Sequence, residues 1–258
     1  MMPTPCADSK TPKVMETIAN KFSFYYPPVR EVRYVKEADI YGIYRYISDP
    51  RYAKQPTDTL RAIANEDERK LFKSTHFAYC LFSGTFGTNR RNDGLQNHSG
   101  LLCLDFDHLK DMEAARRQLL SDPYFETLLL FVSPSGTGLK WVIPIGNELA
   151  PVPQTKEEAL QAHELWFQAV ANYLQATYSL TADPACRNVA RACFLPHDPD
   201  CYIAPRLHRT LAKIDQEAPC AGALLKLATS LAAANIDIVS LHGDNIAVQN
   251  ADNHAESI

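Results

Sequence analysis

Two aspartates one residue apart, Asp105 and Asp107, end the apolar run SGLLCLDFDH at residues 99–108. Successive side chains of a strand point to opposite faces, so both carboxylates project from the same face. Their mutual repulsion is unfavourable unless a cation or a proton lies between them. Carboxylate oxygens suit Mg²⁺ or Mn²⁺, and two such ions can activate a hydroxyl and stabilise a leaving phosphate oxygen. The pair therefore predicts a site for two divalent ions, with Asp183 as the candidate third ligand.

These acids also have purely structural interpretations. Asp105 and Asp107 could end a strand and enter a polar turn, and the Asp-Pro dipeptide at Asp183 is typical of a turn. The spacing alone does not choose between a metal site and a polar strand end.

A glycine-rich turn and several cations are candidates for binding a triphosphate. In SPSGTGLK, residues 133–140, glycines let backbone N–H groups approach phosphate oxygens, and the lysine adds a positive charge. Two arginines follow Asp183 and could each clamp a phosphate, or form a salt bridge to neighbouring acids instead. The candidate nucleotide-binding residues are Ser133, Ser135, Gly136, Gly138, Lys140, Arg187 and Arg191.

Other polar residues give weaker signals. Arg90 and Arg91, in the Gly/Asn loop SGTFGTNRRNDGLQN, are candidates for contacting a nucleic-acid template, although a solvated loop explains them equally well. A zinc site is disfavoured, because the four residues that invite it miss the usual close Cys-x₂₋₄-Cys spacing. Those four are Cys186, Cys193, His197 and Cys201. His98 and His108 are expected to be solvated loop histidines.

The elements that must position these residues follow a βαββαβ order in the second half of the chain. Strands are predicted at residues 101–107, 128–133, 139–145 and 190–195, with helices at 111–121 and 156–178. Right-handed crossovers make the first two strands parallel, with the third between them and the fourth beside the first. The two aspartates, the SPSGTG turn, Lys140 and residues 183–191 then share one edge of the sheet. The polar side chains are expected on a face that no helix covers.

The first half is predicted to be a mixed α/β unit. Strands are expected at residues 29–35 and 77–82, and helices at 37–47 and 57–72. The predicted organisation is a flexible N-terminus (1–13), an N-terminal α/β unit (14–98), an RRM-like unit (99–215), a C-terminal helical segment (216–241) with a helix at 222–234, and a flexible tail (242–258).

Composition limits the class of protein. The chain has 258 residues, 46% of them hydrophobic, enough for one large or two small cores. A net charge of -4 argues against non-specific binding driven by overall charge, but it allows a local basic groove. The odd number of cysteines, seven, and the lack of a signal peptide or membrane span predict a cytoplasmic protein with free thiols.

Several motifs together resemble the archaeo-eukaryotic primase superfamily, and more narrowly the N-terminal domain of virulence-associated protein E-type proteins of bacterial mobile elements. They are SGTF (83–86), HSGLLCLDFDHL (98–109), DPYF (122–125), FVSPSGTGLKW (131–141) and RACFLPHDPDCY (191–202). The resemblance implies an α+β catalytic core, in which an N-terminal α/β unit packs on a ferredoxin-like unit around a cleft. It also implies primer synthesis from nucleoside triphosphates on a single-stranded DNA template, with a metal pair at Asp105 and Asp107, a third acid at Asp183, and triphosphate contacts from SPSGTG and Lys140.

Two departures leave alternatives open. The superfamily usually has histidine where this chain has Lys140, and Asp183 lies in a loop-like context. Only about 55 residues follow the last motif, too few for a helicase domain, so any helicase partner is expected to be separately encoded. A non-catalytic nucleic-acid or helicase-binding module is therefore the alternative function. A nucleotide cyclase ranks behind both, because the central hairpin has no carboxylate.

Overall fold

The computed structural model describes residues 20–33, 35–146, 152–153 and 155–208, and the backbone of three strands between 236 and 257. Two units are distinguished, Met1–Ala204 and Pro205–Ile258. The expected N-terminal segment 1–13 and the expected helix at 222–234 lie outside the described residues.

The first sheet of the N-terminal unit is built from short strands and flanked by helices. Its strands are β1 (Phe22–Tyr25), β2 (Val35–Ala38), β3 (Tyr79–Leu81) and β9 (Cys193–Phe194), in the order β2-β1-β3-β9. The helices are α1 (Ile40–Ser48), α2 (Pro50–Ala62) and α3 (Glu66–His76). A two-stranded hairpin, β4 (Gly84–Phe86) with β5 (Leu95–His98), follows β3.

Two expectations for this half were wrong. Residues 29–33 form no strand, because a turn hydrogen bond from Glu31 N–H to the Pro28 carbonyl (2.9 Å) bends the chain there. The single helix expected at 57–72 is two helices. The backbone is extended at Ile63, and the Asn65 side chain caps a new helix by accepting from Asp67 and Glu68 N–H.

The second sheet carries the acidic strand. Its elements are β6 (Leu101–Phe106), α4 (Met112–Leu120), β7 (Leu129–Val132), β8 (Leu139–Pro144), α5 (Lys156–Tyr178) and β10 (Tyr202–Ile203). The strand order is β10-β7-β8-β6, so β8 lies antiparallel between β6 and β7, as the sequence predicts. This pairing sets Asp105 directly opposite Lys140.

The fourth strand of the predicted βαββαβ sheet is not found in that position. Residues 193–194 pair with β3 of the first sheet, and Cys80 lies opposite Cys193. A 3₁₀ helix at Pro184–Arg187 turns the chain away from β6 after one backbone hydrogen bond, from Asp183 N–H to the Asp105 carbonyl (2.8 Å). The α+β class is confirmed, but this sheet edge differs from a complete ferredoxin-like arrangement.

The two faces of the second sheet differ in chemistry. Leu102, Leu104, Phe106 and Trp141 are fully buried in the main core, which also includes side chains of α4 and α5. The opposite face was expected to be open. Instead β9 lies close to it, with Cys193 Sγ 3.9 Å from Cys103 Sγ, and both Asp105 and Lys140 are buried.

The C-terminal unit has an antiparallel sheet of β11 (Ile236–His242), β12 (Asn245–Asn250) and β13 (Ala255–Ser257). These strands replace the end of the helical segment and the flexible tail expected at 236–257. Within the described part of the chain, no helix has the length and apolar character needed to cross a bilayer.

Candidate metal and nucleotide site

Three carboxylates from separate parts of the sequence meet at the end of β6. One oxygen from each of Asp105, Asp107 and Asp183 lies within 4.8 Å of the others. Strand β6 supplies Asp105, Asp107 directly follows that strand, and Asp183, the residue that caps the 3₁₀ helix, is the third. The predicted third acid is therefore close enough to share a cation with the pair.

Asp105 is the buried member of this cluster, with only 8% of its surface exposed. Its Oδ2 accepts a hydrogen bond from Lys140 Nζ, whereas its Oδ1 is buried and has no hydrogen-bond partner among the described residues. Burial raises the pKa of Asp105 and nearby Asp107 adds to this, although Lys140 opposes the shift. An unpartnered buried carboxylate oxygen is unfavourable, and a bound cation would relieve it.

Asp183 is held in place at both carboxylate oxygens. Oδ1 accepts from Ala185 N–H at 2.9 Å, which caps the 3₁₀ helix, and Oδ2 accepts from Arg191 at 2.7 Å. Asp107 is exposed and forms no ion pair with a described residue. Two of the three acids are thus already neutralised by cations of this chain.

A third cation, Lys73 in the last turn of α3, was missed by the sequence analysis. Burial lowers the pKa of Lys73, and the positive charge of Lys140 lowers it further, while Asp105 and Asp107 act in the opposite direction. No motif marks this residue; the fold brings it near the acids, and its Nζ also lies 5.7 Å from the centroid of the Phe194 ring in β9. Lys140 itself has a raised pKa, because nearby Cys193 and Asp105 outweigh its burial.

The SPSGTG turn contacts the same strand end. A Cβ on Gly138 would lie 2.1 Å from the Phe106 carbonyl oxygen, so only glycine allows this approach. Gly136 has a φ of +81°, which also favours glycine. Arg61 of α2 donates to the Ser133 carbonyl at 3.4 Å and to the Pro134 carbonyl at 3.3 Å. Arg61 is a second residue that sequence reasoning missed.

A chain of hydrogen bonds through two buried histidines reaches the 3₁₀ helix. Gly100 N–H donates to His98 Nδ1 (2.9 Å), so His98 carries its proton on Nε2 and donates it to His163 Nδ1 (3.1 Å). His163 then carries its proton on Nε2 and donates to the Cys186 carbonyl (3.2 Å). All four ring nitrogens are used with both rings neutral. The expectation that His98 is solvated was wrong.

Burial lowers the pKa of both rings, to about 3 for His98, where His163 adds to the effect, and to about 4 for His163. The pair ties the turn before β6 to the helix that Asp183 caps. It therefore fixes the third acid relative to the strand that carries the other two.

The remaining predicted residues lie in different surroundings. The hydroxyls of Ser133 and Ser135 are 3.0 Å apart within the turn. Arg187 is exposed. Arg90 packs over the ring of Tyr79 at 5.0 Å, and Arg91 is exposed. No hydrogen bond or ion pair in the described ranges joins Arg90 or Arg91 to the three carboxylates.

The cysteines and the histidine considered for zinc have other partners. Cys186, Cys193 and Cys201 are buried free thiols. His197 N–H donates to Thr57 Oγ1 at 2.8 Å, and its Nδ1 lies 2.9 Å from the Ile47 carbonyl oxygen, so its backbone and ring fix a loop against α1 and α2.

A small pocket of about 20 Å³ adjoins the buried acid. Its walls include Ser83, Asp105, Lys140, Asn188 and Arg191, which together offer hydrogen-bond donors, two positive charges and a carboxylate. The hard oxygen ligands fit Mg²⁺ or Mn²⁺, and the donors fit an anionic, hydroxyl-bearing ligand.

Comparison with protein-family models matches residues 72–203 to "BT4734-like, N-terminal domain". No curated protein and no solved structure matches the chain. The matched range includes all three carboxylates, the SPSGTG turn and Lys73.

Proposed function

The chain belongs to the family of BT4734-like N-terminal domains, and we propose that this member is a metal-dependent nucleotidyltransferase of the primase-polymerase type. It would join nucleoside triphosphates on a single-stranded DNA template in the cytoplasm, as part of mobile-element replication. The observation that carries the proposal is the meeting of Asp105, Asp107 and Asp183 within 4.8 Å. The resemblance of the sequence motifs to those of primases also supports it.

Asp105, Asp107 and Asp183 are the residues that would hold the two ions. When bound, Mg²⁺ or Mn²⁺ would lower the pKa of the attacking hydroxyl and offset the negative charge of the triphosphate. The buried, unpartnered Oδ1 of Asp105 is the feature of this chain that fits such an ion best.

The chain's own cations would bind and orient the triphosphate. Arg191 is about half exposed at its side chain and can turn from Asp183 to a phosphate oxygen. Lys140 is fixed against Asp105 and contributes its charge from the wall of the pocket. The backbone N–H groups of Ser135 and Thr137 would be further donors to phosphate, in a turn that Arg61 holds by two carbonyls.

The test is extension of a primed and an unprimed single-stranded template with labelled NTPs and dNTPs, in Mg²⁺ and in Mn²⁺. Asp107→Asn is the most informative variant, because Asp107 is exposed and its loss leaves no buried charge unpaired. We expect product formation to fall at least about a hundredfold. Glu164→Gln, the same change of charge on an exposed face of α5, is the matched control and should keep full activity.

Two results would overturn the proposal. One is the absence of product with either metal in the wild-type protein, and the other is undiminished activity in Asp107→Asn. Titration of Mn²⁺ into the wild-type protein and into Asp107→Asn measures metal binding directly. It distinguishes a variant that no longer binds the ion from one that binds it but fails at a later step.

The ion pairs Lys140–Asp105 and Arg191–Asp183 favour a second candidate, a non-catalytic nucleic-acid or helicase-binding module. In that function the acids are structural and no metal is needed. This alternative predicts DNA binding that depends on salt and is unchanged by Asp107→Asn, with no product under any condition.

A further inference from the structure

A second groove lies along β2 and the first two helices, with a volume of about 410 Å³. Four aromatic rings line it, those of Phe24, Tyr26, Tyr46 and Tyr52. The apolar aliphatic side chains in its walls are confined to Ala38 and the buried Ile43. A groove of this kind presents flat rings rather than the aliphatic surface that an apolar peptide helix would cover.

The rings are arranged for stacking. Tyr46 and Tyr52 lie nearly parallel, with centroids 5.2 Å apart and planes at 17°. Tyr26 meets Phe24 edge to face at 5.1 Å. Tyr26 and Tyr52 remain 47% and 52% exposed, so each still offers ring surface to a ligand. A planar, π-rich group could continue the stack at Tyr52.

Cations accompany these rings. Lys36 Nζ lies 5.4 Å from the Tyr26 centroid, and the Arg51 guanidinium lies 5.9 Å from the Tyr52 centroid. Lys36 and Arg45 form no salt bridge with any residue in the described ranges, whereas Lys21 is paired with Asp39 at 2.9 Å. With Glu37 also in the wall, the lining has three cations and two carboxylates, so it carries a small positive excess.

We propose that this groove, the β2–α1 groove, binds unpaired nucleotides of a single-stranded nucleic acid. Aromatic rings that stack bases, with interspersed cations for phosphates, are how such strands are bound without sequence preference. In a duplex the base faces are stacked on one another, so they are not available to stack on these rings. Because the groove lining has only a small excess of positive charge, we expect one or two contacts to phosphate. Stacking of bases on the rings is then the main source of affinity. The inference goes beyond the proposed chemistry, because binding requires neither metal nor triphosphate.

The experiment is fluorescence anisotropy of a labelled 20-nucleotide oligo-dT with the full chain in EDTA. Tyr26→Ala and Tyr52→Ala are each expected to weaken binding about tenfold, and Tyr52→Phe to restore it, because the ring is kept. Tyr124→Ala is the matched control, since Tyr124 is 76% exposed outside the groove, and it should bind as the wild type does. Raising NaCl from 50 to 200 mM should reduce affinity no more than about sevenfold, the value for two phosphate contacts.

Circular dichroism and urea midpoints of each variant identify any loss of folding. Unchanged affinity in both alanine variants would overturn the inference, as would a 20-base-pair duplex binding as tightly as the single strand. The binding assay contains neither metal nor triphosphate, so failure of this inference and failure of the proposed catalysis give different results.

Discussion

The His98–His163 pair makes the fold sensitive to acid in a calculable way. The rings are 8% and 0% exposed, and the hydrogen-bond chain from Gly100 N–H to the Cys186 carbonyl admits no further proton. A proton on either ring would set N–H against N–H or bury a charge without a partner. Lowering the pH therefore favours the unfolded chain, in which both rings can be protonated.

The pKa values of the two rings give the direction and the size of the effect of pH on the free energy of unfolding. In the folded state they are lowered to about 3 and about 4, below the ordinary value of 6.5. Stability from this source is complete above pH 6.5 and is lost as the pH falls towards 4 and 3. Each ring lowers the free energy of unfolding by about 1.4 kcal/mol for every pH unit below 6.5. Between pH 6.5 and pH 5 this amounts to about 2 kcal/mol for each ring. The pair should lower the free energy of unfolding by about 4 kcal/mol.

Urea unfolding at pH 7, 6 and 5 measures this effect. The double variant His98→Gln, His163→Gln should lose about 4 kcal/mol less than the wild type over the same range. The quantity compared is the change in the free energy of unfolding with pH. A variant that is less stable than the wild type at pH 7 therefore still gives a valid comparison. Gln161→Asn, a change at an exposed residue of α5 that does not titrate, is the control and should keep the wild-type dependence on pH. Equal slopes in the wild type and the double variant would refute the reasoning, as would ¹⁵N shifts showing a charged ring at pH 6.

Three further outcomes are expected. Asp105→Ala should lower the free energy of unfolding by about 3–5 kcal/mol, because Lys140 is left buried and unpaired, and joining Asp105→Leu to Lys140→Met should regain most of it in urea titrations. Gly138→Ala should destabilise by more than about 1 kcal/mol, since its Cβ would overlap a backbone carbonyl of β6, whereas Gly42→Ala in α1 should raise the thermal midpoint. Arg61→Ala should raise the KM for triphosphate roughly fivefold with little change in kcat, through loss of its bonds to the SPSGTG turn, and equal KM values would contradict that role.

The sequence predicts the acidic strand well because its signals are local. The alternation in LLCLDFD places Asp105 and Asp107 on one face, and the handedness of crossovers sets β8 between β6 and β7. Asp183 was predicted to reach the same edge, and it does so through its N–H bond to the Asp105 carbonyl. The reasoning behind that placement was nevertheless wrong, since the following strand joins the other sheet.

What the sequence could not predict depends on packing between distant segments. The burial of Lys140 and Asp105 follows from the approach of β9 to the second sheet, which no strand pattern encodes. Lys73, Arg61 and the partner of His98 are single residues on helices, without a motif. Their positions arise from tertiary contacts: Arg61 with the SPSGTG turn, Lys73 with the Phe194 ring, and His163 of α5 with His98.

The exposures of the two ion pairs decide which of them can yield to a divalent ion in the proposed site. The side chains of Lys140 and Asp105 are 9% and 12% exposed, so separating them without replacement would leave a desolvated charge. The Arg191 side chain is 48% exposed and can be hydrated as soon as it leaves Asp183. A cation bound to Oδ1 of Asp105 and to Asp107 would therefore need only Asp183 as its third acidic ligand. Binding of Asp183 to the cation would release the Arg191 guanidinium beside the pocket. Lys140 can remain where it is, so a lysine buried against Asp105 is compatible with the proposed metal binding at the same carboxylate.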